Sequence, residues 1–436
     1  MRRREVLGSL SGAAALFGLP APAAQGAAPP LPDPALWERD PERYWARVRD
    51  EQFLLPGWRA FLNTGSLGVA PRPVLEAVAE YMRRGASRVT DEYPRWGYEP
   101  LEAHRQELAA FLGCQTEELA LTHNATEAMT IVAEGLELKP GDEVLLTDQE
   151  HPGGFCCWLK RQARDGIAVR RVNLPLPPAS AEQLAERILD AIGPRTRVLS
   201  FSGITSPTGL LLPVRAICEE ARARGVITVV DGAQMNGQMA LRLDELGCDF
   251  FAGSPHKWLF APPGCGLLYI RKEWLDRLWP LVVTGGWDKL ELKAARFMQV
   301  GTNERAIFEG LLAAKRFAEA IGPERIYARI HELARRVRRL AAERPYVELL
   351  TPEDERLYRG MVAFRLPGSL ASRVKQLCAE RRIWVSGGED SVRLTTHIHT
   401  RRSDIDLFFD TLAEAAGKSG TVYSIPNSGA PLGRQA

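Results

Sequence analysis

The chain has 436 residues, 45% of them hydrophobic and 25% charged, with a net charge of only +2. That is apolar side chain enough for a large core with more than one lobe, and it holds no basic stripe interleaved with aromatics of the kind nucleic acid requires. Seven cysteines, an odd number, sit mostly in apolar settings without C-x-x-C spacing, so free thiols and no metal site are expected.

Arg3-Arg4 precede a small-residue apolar run, Gly8 to Leu19, and then Ala21-Pro22-Ala23. A basic start, a short apolar stretch and an A-x-A site in that order read as a secretory signal over 1–28 rather than a membrane span. The arginine pair assigns it to the twin-arginine route, with an ordinary Sec signal as the alternative, and the expected location is periplasmic or secreted. Residues 29–57, Pro-rich and then charged and aromatic (Trp37, Tyr44, Trp45), read as an arm of short helices. The body then divides into a large domain, 58–290, and a small C-terminal domain, 291–416. A Gly/Ser/Pro-rich tail at 417–436 is expected to be disordered.

Asn63-Thr64-Gly65-Ser66 opens the body as a small-residue loop. From 117 on, strand and helix patterns alternate, the mark of a parallel sheet covered by helices. Glu118 to Thr122 reads as a strand, Asn124-Ala125-Thr126-Glu127 as a turn and Ala128 to Leu136 as a helix. A helix N-terminus attracts phosphate and Thr126 would add a hydroxyl, although the turn reads equally as a plain helix cap. Glu143 to Thr147 is the next strand and delivers His151 at its carboxyl end, where open α/β sheets bind ligands. An imidazole there can stack on a flat ring and move protons; a structural histidine is the competing reading. Arg197 to Ser202 is a further strand, leading to Thr205-Ser206-Pro207-Thr208-Gly209. Val214, Ile217, Cys218 and Ala221 follow at the spacing of a helix face packed on a sheet, and Gly225 ends that helix.

The Val226 to Val230 strand ends in Asp231-Gly232-Ala233-Gln234. Ser254-Pro255-His256-Lys257 follows the next apolar run, Asp249 to Ala252. An acid and a lysine at neighbouring strand ends can hold the two ends of one flat cofactor. Pyridoxal phosphate (PLP) needs that pair: a carboxylate to keep its pyridine nitrogen protonated, and a lysine amine to condense with its aldehyde. Either residue alone is weak evidence, since most buried aspartates are caps or ion-pair partners and most lysines are solvated.

Gly266 to Ile270 reads as an antiparallel strand and Gly301-Thr302 as a turn, followed by helices over Ala306 to Ile321 and Glu324 to Ala342. In the small domain, Met361 to Leu366, Ile383 to Ser386 and Val392 to Thr396 read as strands and Ser369 to Glu380 as a helix. Ser403-Asp404-Ile405-Asp406 reads as a capping box for the last helix. Arg393 lies in a strand rather than on a helix surface, and a guanidinium fork matches an α-carboxylate at two points.

The D-x-x-Q of Asp231–Gln234, the S-x-H-K of Ser254–Lys257 and the turn Ala261-Pro262-Pro263-Gly264 resemble the class V aminotransferase family of PLP enzymes over residues 58 to 415. Ile204-Thr205-Ser206-Pro207-Thr208-Gly209 is most similar to its isopenicillin N epimerase-like branch. The resemblance implies an α/β, type I PLP fold with a mostly parallel seven-stranded sheet and a smaller α+β domain. It implies Lys257 as the cofactor lysine and catalytic base, Asp231 on the pyridine nitrogen and His151 as the stacking, proton-moving ring. Ala125, Thr126, Ser206, Gln234, Ser254 and His256 would bind the cofactor. Ser206 is shorter than the Asn of desulfurases and leaves the phenolic oxygen to Gln234. Asn63 and Arg393 would meet the substrate, and Thr302 would cross a homodimer interface to the partner's phosphate. The implied function is an exported enzyme acting at Cα of an amino acid, epimerase-like or aminotransferase, with C–S lyase chemistry or a non-catalytic binder as alternatives. Persulfide chemistry needs a thiolate on a mobile loop; Ser386-Gly387-Gly388-Glu389-Asp390 holds none, and Cys378 falls within a predicted helix.

Overall fold

A computed structural model describes residues 29–88 and 101–417. The signal read at 1–28 and the tail beyond Gly417 lie outside the described residues. Helices α1 (Pro34–Arg39) and α2 (Pro41–Gln52) form the arm; each begins with a proline behind an aspartate, Asp33 or Asp40, whose carboxylate accepts a first-turn N–H. The buried Arg49 anchors α2 by donating to the carbonyls of His399, Pro56 and Arg59.

Strand β1 (Ala60–Phe61) leads into α3 (Arg72–Ser87) and α4 (Glu102–Leu112). The alternation expected from the sequence follows: β2 (Leu119–Thr122), α5 (Ala125–Gly135), β3 (Glu143–Thr147), α6 (Pro152–Asp165), β4 (Ala168–Val172), α7 (Ala181–Leu189), β5 (Thr196–Ser202), α8 (Val214–Ala223), β6 (Ile227–Asp231), β7 (Phe250–Gly253) and β8 (Gly266–Ile270). These strands form one seven-stranded sheet in the order β2-β8-β7-β6-β5-β3-β4. β8 is antiparallel to both its neighbours, and every other pair is parallel. Helices cover both faces of a mostly parallel sheet, so its strands read as unbroken apolar runs; Val229, Val230, Phe250, Phe251, Leu267 and Leu268 are all buried. The order reverses between β3 and β5, since β3 leads to β4 on one side and to β5 on the other. A crevice at the carboxyl ends is expected at such a switch point, and the site lies there.

The turn read at Asn124–Glu127 is already helical: Asn124 is the N-cap of α5, and its Oδ1 accepts from Glu127 N at 2.9 Å. At the other end of the segment α8 closes on Arg224, and Gly225 (φ 73°) takes the left-handed position after it.

Helices α9 (Ala306–Ile321) and α10 (Pro323–Ala342) follow, then β9 (Glu348–Leu349), β10 (Met361–Arg365), α11 (Leu370–Glu380), β11 (Ile383–Trp384), β12 (Ser391–Thr395) and α12 (Arg402–Ala415). β12, β10 and β9 make an antiparallel sheet, and β11 pairs in parallel with β1. A second core gathers here from Ala60, Leu62, Leu333, Val337, Phe364, Val392, Leu394 and Phe408. Phe308, Leu311, Ile326 and Ile330, which the sequence groups with the small domain, pack into the larger core instead. β1 therefore belongs to both ends of the chain, and its pairing draws β12, which carries Arg393, over the large domain. The capping box of α12 lies earlier than expected: the N-cap is Arg401, and Asp404 accepts its backbone N–H at 3.0 Å. The strand expected to run from Ile383 to Ser386 stops at Trp384, and Ser386 makes an isolated bridge to Arg393.

Candidate active site

A cavity of about 560 Å³ opens at the carboxyl ends of the parallel strands, under the loop 386–391. Nine of the twelve predicted site residues line it: Ala125, Thr126, His151, Ser206, Asp231, Ser254, His256, Lys257 and Arg393. Two close approaches set their positions. Gly68 donates its N–H to the His256 carbonyl at 2.9 Å and packs so tightly that a Cβ there would lie 2.0 Å from the Lys257 carbonyl oxygen. A Cβ on Gly154, in the first turn of α6, would lie 2.8 Å from Asp231 Oδ2.

Asp231 ends β6, is buried, and accepts from Ala233 N at 3.0 Å. Burial lowers the pKa of the Lys257 amine, helped by the charge of Arg393 and opposed by Asp231. A larger fraction is thus the neutral nucleophile near pH 7. His151 is the N-cap of α6; its Nδ1 accepts from Gly153 N at 3.0 Å, which leaves Nε2 to carry the proton of the neutral ring. Burial and then Lys257 hold its pKa below the usual histidine range. At the start of α5, Ala125 N donates to Ser254 Oγ at 3.1 Å, while Thr126 N–H has no protein acceptor among the described residues. His256 Nδ1 lies 2.9 Å from the Cys265 carbonyl, which makes Nδ1 the donor there.

Arg393 is buried, and no carboxylate among the described residues pairs with it. Its Nε donates to Ser386 Oγ (2.9 Å), one terminal nitrogen to Ser206 O and Oγ, and the other to Ser66 Oγ (3.1 Å) and Asn63 Oδ1 (3.4 Å). Burial lowers its pKa to about 10. A guanidinium enclosed by neutral oxygens is a cation lacking its counter-ion.

The structure separates the remaining three. Asn63 touches Arg393 from behind the cavity wall. Gln234 does not line the cavity: its amide nitrogen donates to Gly65 O at 2.9 Å and its oxygen accepts from Trp258 Nε1 at 2.8 Å, so both ends of a buried side chain are committed. Thr302 is exposed, outside its own chain's cavity.

Sequence reasoning missed Glu150, which lines the cavity beside Asp231. Its carboxyl accepts from Thr147 Oγ1 and from Ser202 Oγ (2.7 Å), and burial, reinforced by Asp231 and opposed by those hydrogen bonds, pushes it up to about 7. The sign follows directly. Between pH 4.5 and 7 the unfolded chain ionises Glu150 and the folded chain does not, so stability present below 4.5 is lost by pH 7. At about 1.4 kcal/mol per pH unit the loss is about 3 kcal/mol. Glu150→Gln in the cofactor-free protein is therefore expected to resist urea better than the natural chain at pH 8 and equally at pH 4.5. A less stable variant at pH 8 would show that the hydrogen bonds outweigh the buried charge. Ser66, Ser386 and Ser391 were also missed; single serines in loops or at the start of a strand carry no pattern that marks them.

The family model for Aminotransferase class-V matches residues 62–406. The chain belongs to the class V aminotransferase family. It is 36% identical over 394 residues to isopenicillin N epimerase of Streptomyces clavuligerus, spanning 86% of this chain and 99% of that one. It is 28% identical over 405 residues to a probable cysteine desulfurase of Pseudomonas putida, spanning 87% and 97%. Among solved structures it is similar to a lysine-to-alanine mutant of C-DES, a cystine C-S lyase, with glycine covalently linked to the PLP cofactor; identity is 27%, the TM-score 0.72, and coverage 82% of this chain and 96% of that one. The class V chain is thus a PLP-dependent enzyme of the type I fold. Its own residues fit the cofactor: an amine of lowered pKa, a buried carboxylate on the adjacent strand, and a helix N-terminus with an uncommitted N–H converge on one cavity. Lys257 would hold the aldehyde end, Asp231 the pyridine nitrogen, and Thr126, Ser254 and His256 the phosphate.

Proposed function

We propose that this enzyme removes and returns the Cα proton of an amino acid or amino-acid derivative, as an epimerase, and that it acts after export. The observation that carries the reading is Arg393, a buried cation without a counter-ion in the cavity that holds Lys257. An α-carboxylate docked on it supplies the missing charge and fixes Cα near the lysine. PLP, when bound, supplies an aldehyde for amines and an electron-withdrawing pyridinium that acidifies Cα–H. Lys257 would take the Cα proton, Asp231 would keep a proton on the pyridine nitrogen, and Arg393 would prevent rotation about Cα. Epimerisation also needs a proton donor, and His151, with Nε2–H free and a pKa below the usual histidine range, is the second acid–base group in the cavity wall. The 36% identity to an isopenicillin N epimerase supports this branch.

Transamination needs only Lys257 to carry the proton onward and is the second reading. Sulfur transfer is disfavoured. The 386–390 loop has no cysteine, and Cys378 is buried in α11 with its thiol raised to about 12 by burial. β-Elimination from a cysteine derivative requires no such thiol and stays as the third. Holoenzyme incubated with L- and D-amino acids and S-substituted cysteines in deuterated water distinguishes them. Inversion with deuterium at Cα supports epimerisation, keto acid without inversion supports transamination, and pyruvate release supports elimination.

Export rests on Arg3-Arg4 and Ala21-Pro22-Ala23. Replacing both arginines with lysine keeps the charge and removes the guanidinium pair, and is expected to leave the protein in the cytoplasm; a Lys-Lys variant still recovered from the periplasm would point to a Sec signal. No helix among the described residues is long and apolar enough to cross a membrane. We also propose a homodimer in which the exposed Thr302 serves the partner's phosphate. Exposed Trp279, Val282 and Val283 are apolar surface for the interface. A sedimentation mass of one chain would overturn it.

A further inference from the structure

Helix α5 opens on the cavity, and its first turn carries an acidic residue, Glu127, next to the seat of the cofactor's phosphate. A phosphate and a carboxylate at one helix N-terminus compete for the same partial positive charge. In an ordinary capping box the third-residue side chain takes the N–H of the N-cap. Here the Glu127 carboxylate reaches one residue further back. Its Oε2 accepts from both the backbone N–H of His123, at 2.6 Å, and the ring Nδ1 of His123, at 2.8 Å. Asn124, the N-cap itself, is not the residue it takes.

We propose that His123 is a positioning residue for the cofactor phosphate: it draws the Glu127 carboxylate back from the mouth of α5 and cancels its charge, so that the N–H groups there act on phosphate alone. The hydrogen bond to Glu127 raises the histidine above its ordinary pKa, and His123 in turn holds Glu127 below its own despite burial. The sign is fixed by that pairing. Where His123 is protonated the pair is neutral; as pH rises through its raised pKa, the Glu127 charge is left uncompensated beside the phosphate.

Other groups near this end of α5 could titrate. β2 and β7 carry no ionisable side chain, and β8 carries only Tyr269, raised by burial. β6 ends in Asp231. The charged residues of α6, Lys160, Arg161, Arg164 and Asp165, lie at its far end, paired with one another and with Glu134. His151 and His256, both lowered by burial, and Lys257 border the cavity. A two-residue cycle separates His123 from all of them.

The inference rests on the phosphate being seated at α5, and the experiment tests seat and histidine separately. PLP and pyridoxal, which lacks the phosphate, are titrated into cofactor-stripped full-length chain, with tryptophan fluorescence as the readout. At pH 6, His123→Asn is expected to bind PLP about three- to tenfold more weakly than the natural chain, and at pH 9 to agree with it within about twofold. His123→Asn/Glu127→Gln is expected to recover the natural affinity at pH 6, and pyridoxal to show no difference among the variants. Equal PLP affinities at pH 6, a loss that persists in the double variant, or an equal loss for pyridoxal overturns the proposal. Thr126→Ala reports on the seat itself: losing affinity for PLP and not for pyridoxal places the phosphate at α5 whatever His123 does.

Discussion

Lys257→Ala is expected to cost about a thousandfold or more in kcat/KM, because on the proposed reading one amine would both hold the cofactor covalently and carry the Cα proton. Both tasks depend on what surrounds it. Enclosure lowers the pKa of the amine, so it can act near neutral pH, while Asp231 keeps that shift from running further. Truncation should leave the fold intact, since the side chain lines a cavity rather than filling a core. The variant is expected to bind PLP without the yellow absorbance of the lysine-linked form, and borohydride should leave no adduct on the chain. A Lys257→Ala enzyme that retains more than about a tenth of its activity, or an adduct found on another lysine of the natural enzyme, would remove Lys257 from the centre of the chemistry.

How much of this was legible in the sequence depended on whether a residue's role is set by its own strand or by what folds against it. Lys257, Asp231 and His151 each follow an apolar run, and a parallel sheet delivers the residues after its strands to one edge, so pattern alone brought them together. Gln234 kept its D-x-x-Q spacing and still turned away. The loop at 61–68 places the Gly65 carbonyl, and Trp258 its indole N–H, where they use both ends of the amide, and neither contact leaves a trace in local sequence. Glu150 was invisible for a related reason. Its unusual protonation comes from burial among β3, β5 and β6, with Asp231 adding to it and the hydrogen bonds from Thr147 and Ser202 only partly offsetting it. The small domain was legible as elements but not as a unit. The pairing of β1 with β11 joins residues more than 300 positions apart, and no periodicity reports such a contact.

Arg393→Lys is expected to weaken kcat/KM about ten- to hundredfold, the equivalent of about 1.5–3 kcal/mol for a charge-assisted hydrogen bond. The structure shows why lysine cannot substitute. Three guanidinium nitrogens are spread over Ser386, Ser206, Ser66 and Asn63, which hold the plane of the fork fixed while its charge goes unanswered. An ammonium keeps the charge but is a single point with three N–H donors, and it cannot satisfy those four residues in one plane. The loss should fall mainly on KM, because the carboxylate is bound in the ground state as in the transition state. Some of it should reach kcat, since a carboxylate free to rotate lets Cα–H swing away from Lys257. The absorbance of the bound cofactor should change little if, as proposed, Arg393 holds the substrate's carboxylate and not the cofactor. Unaltered kcat/KM would make Arg393 a strut between β12 and the serine loops, and loss of PLP binding would place it in the cofactor seat rather than the substrate's.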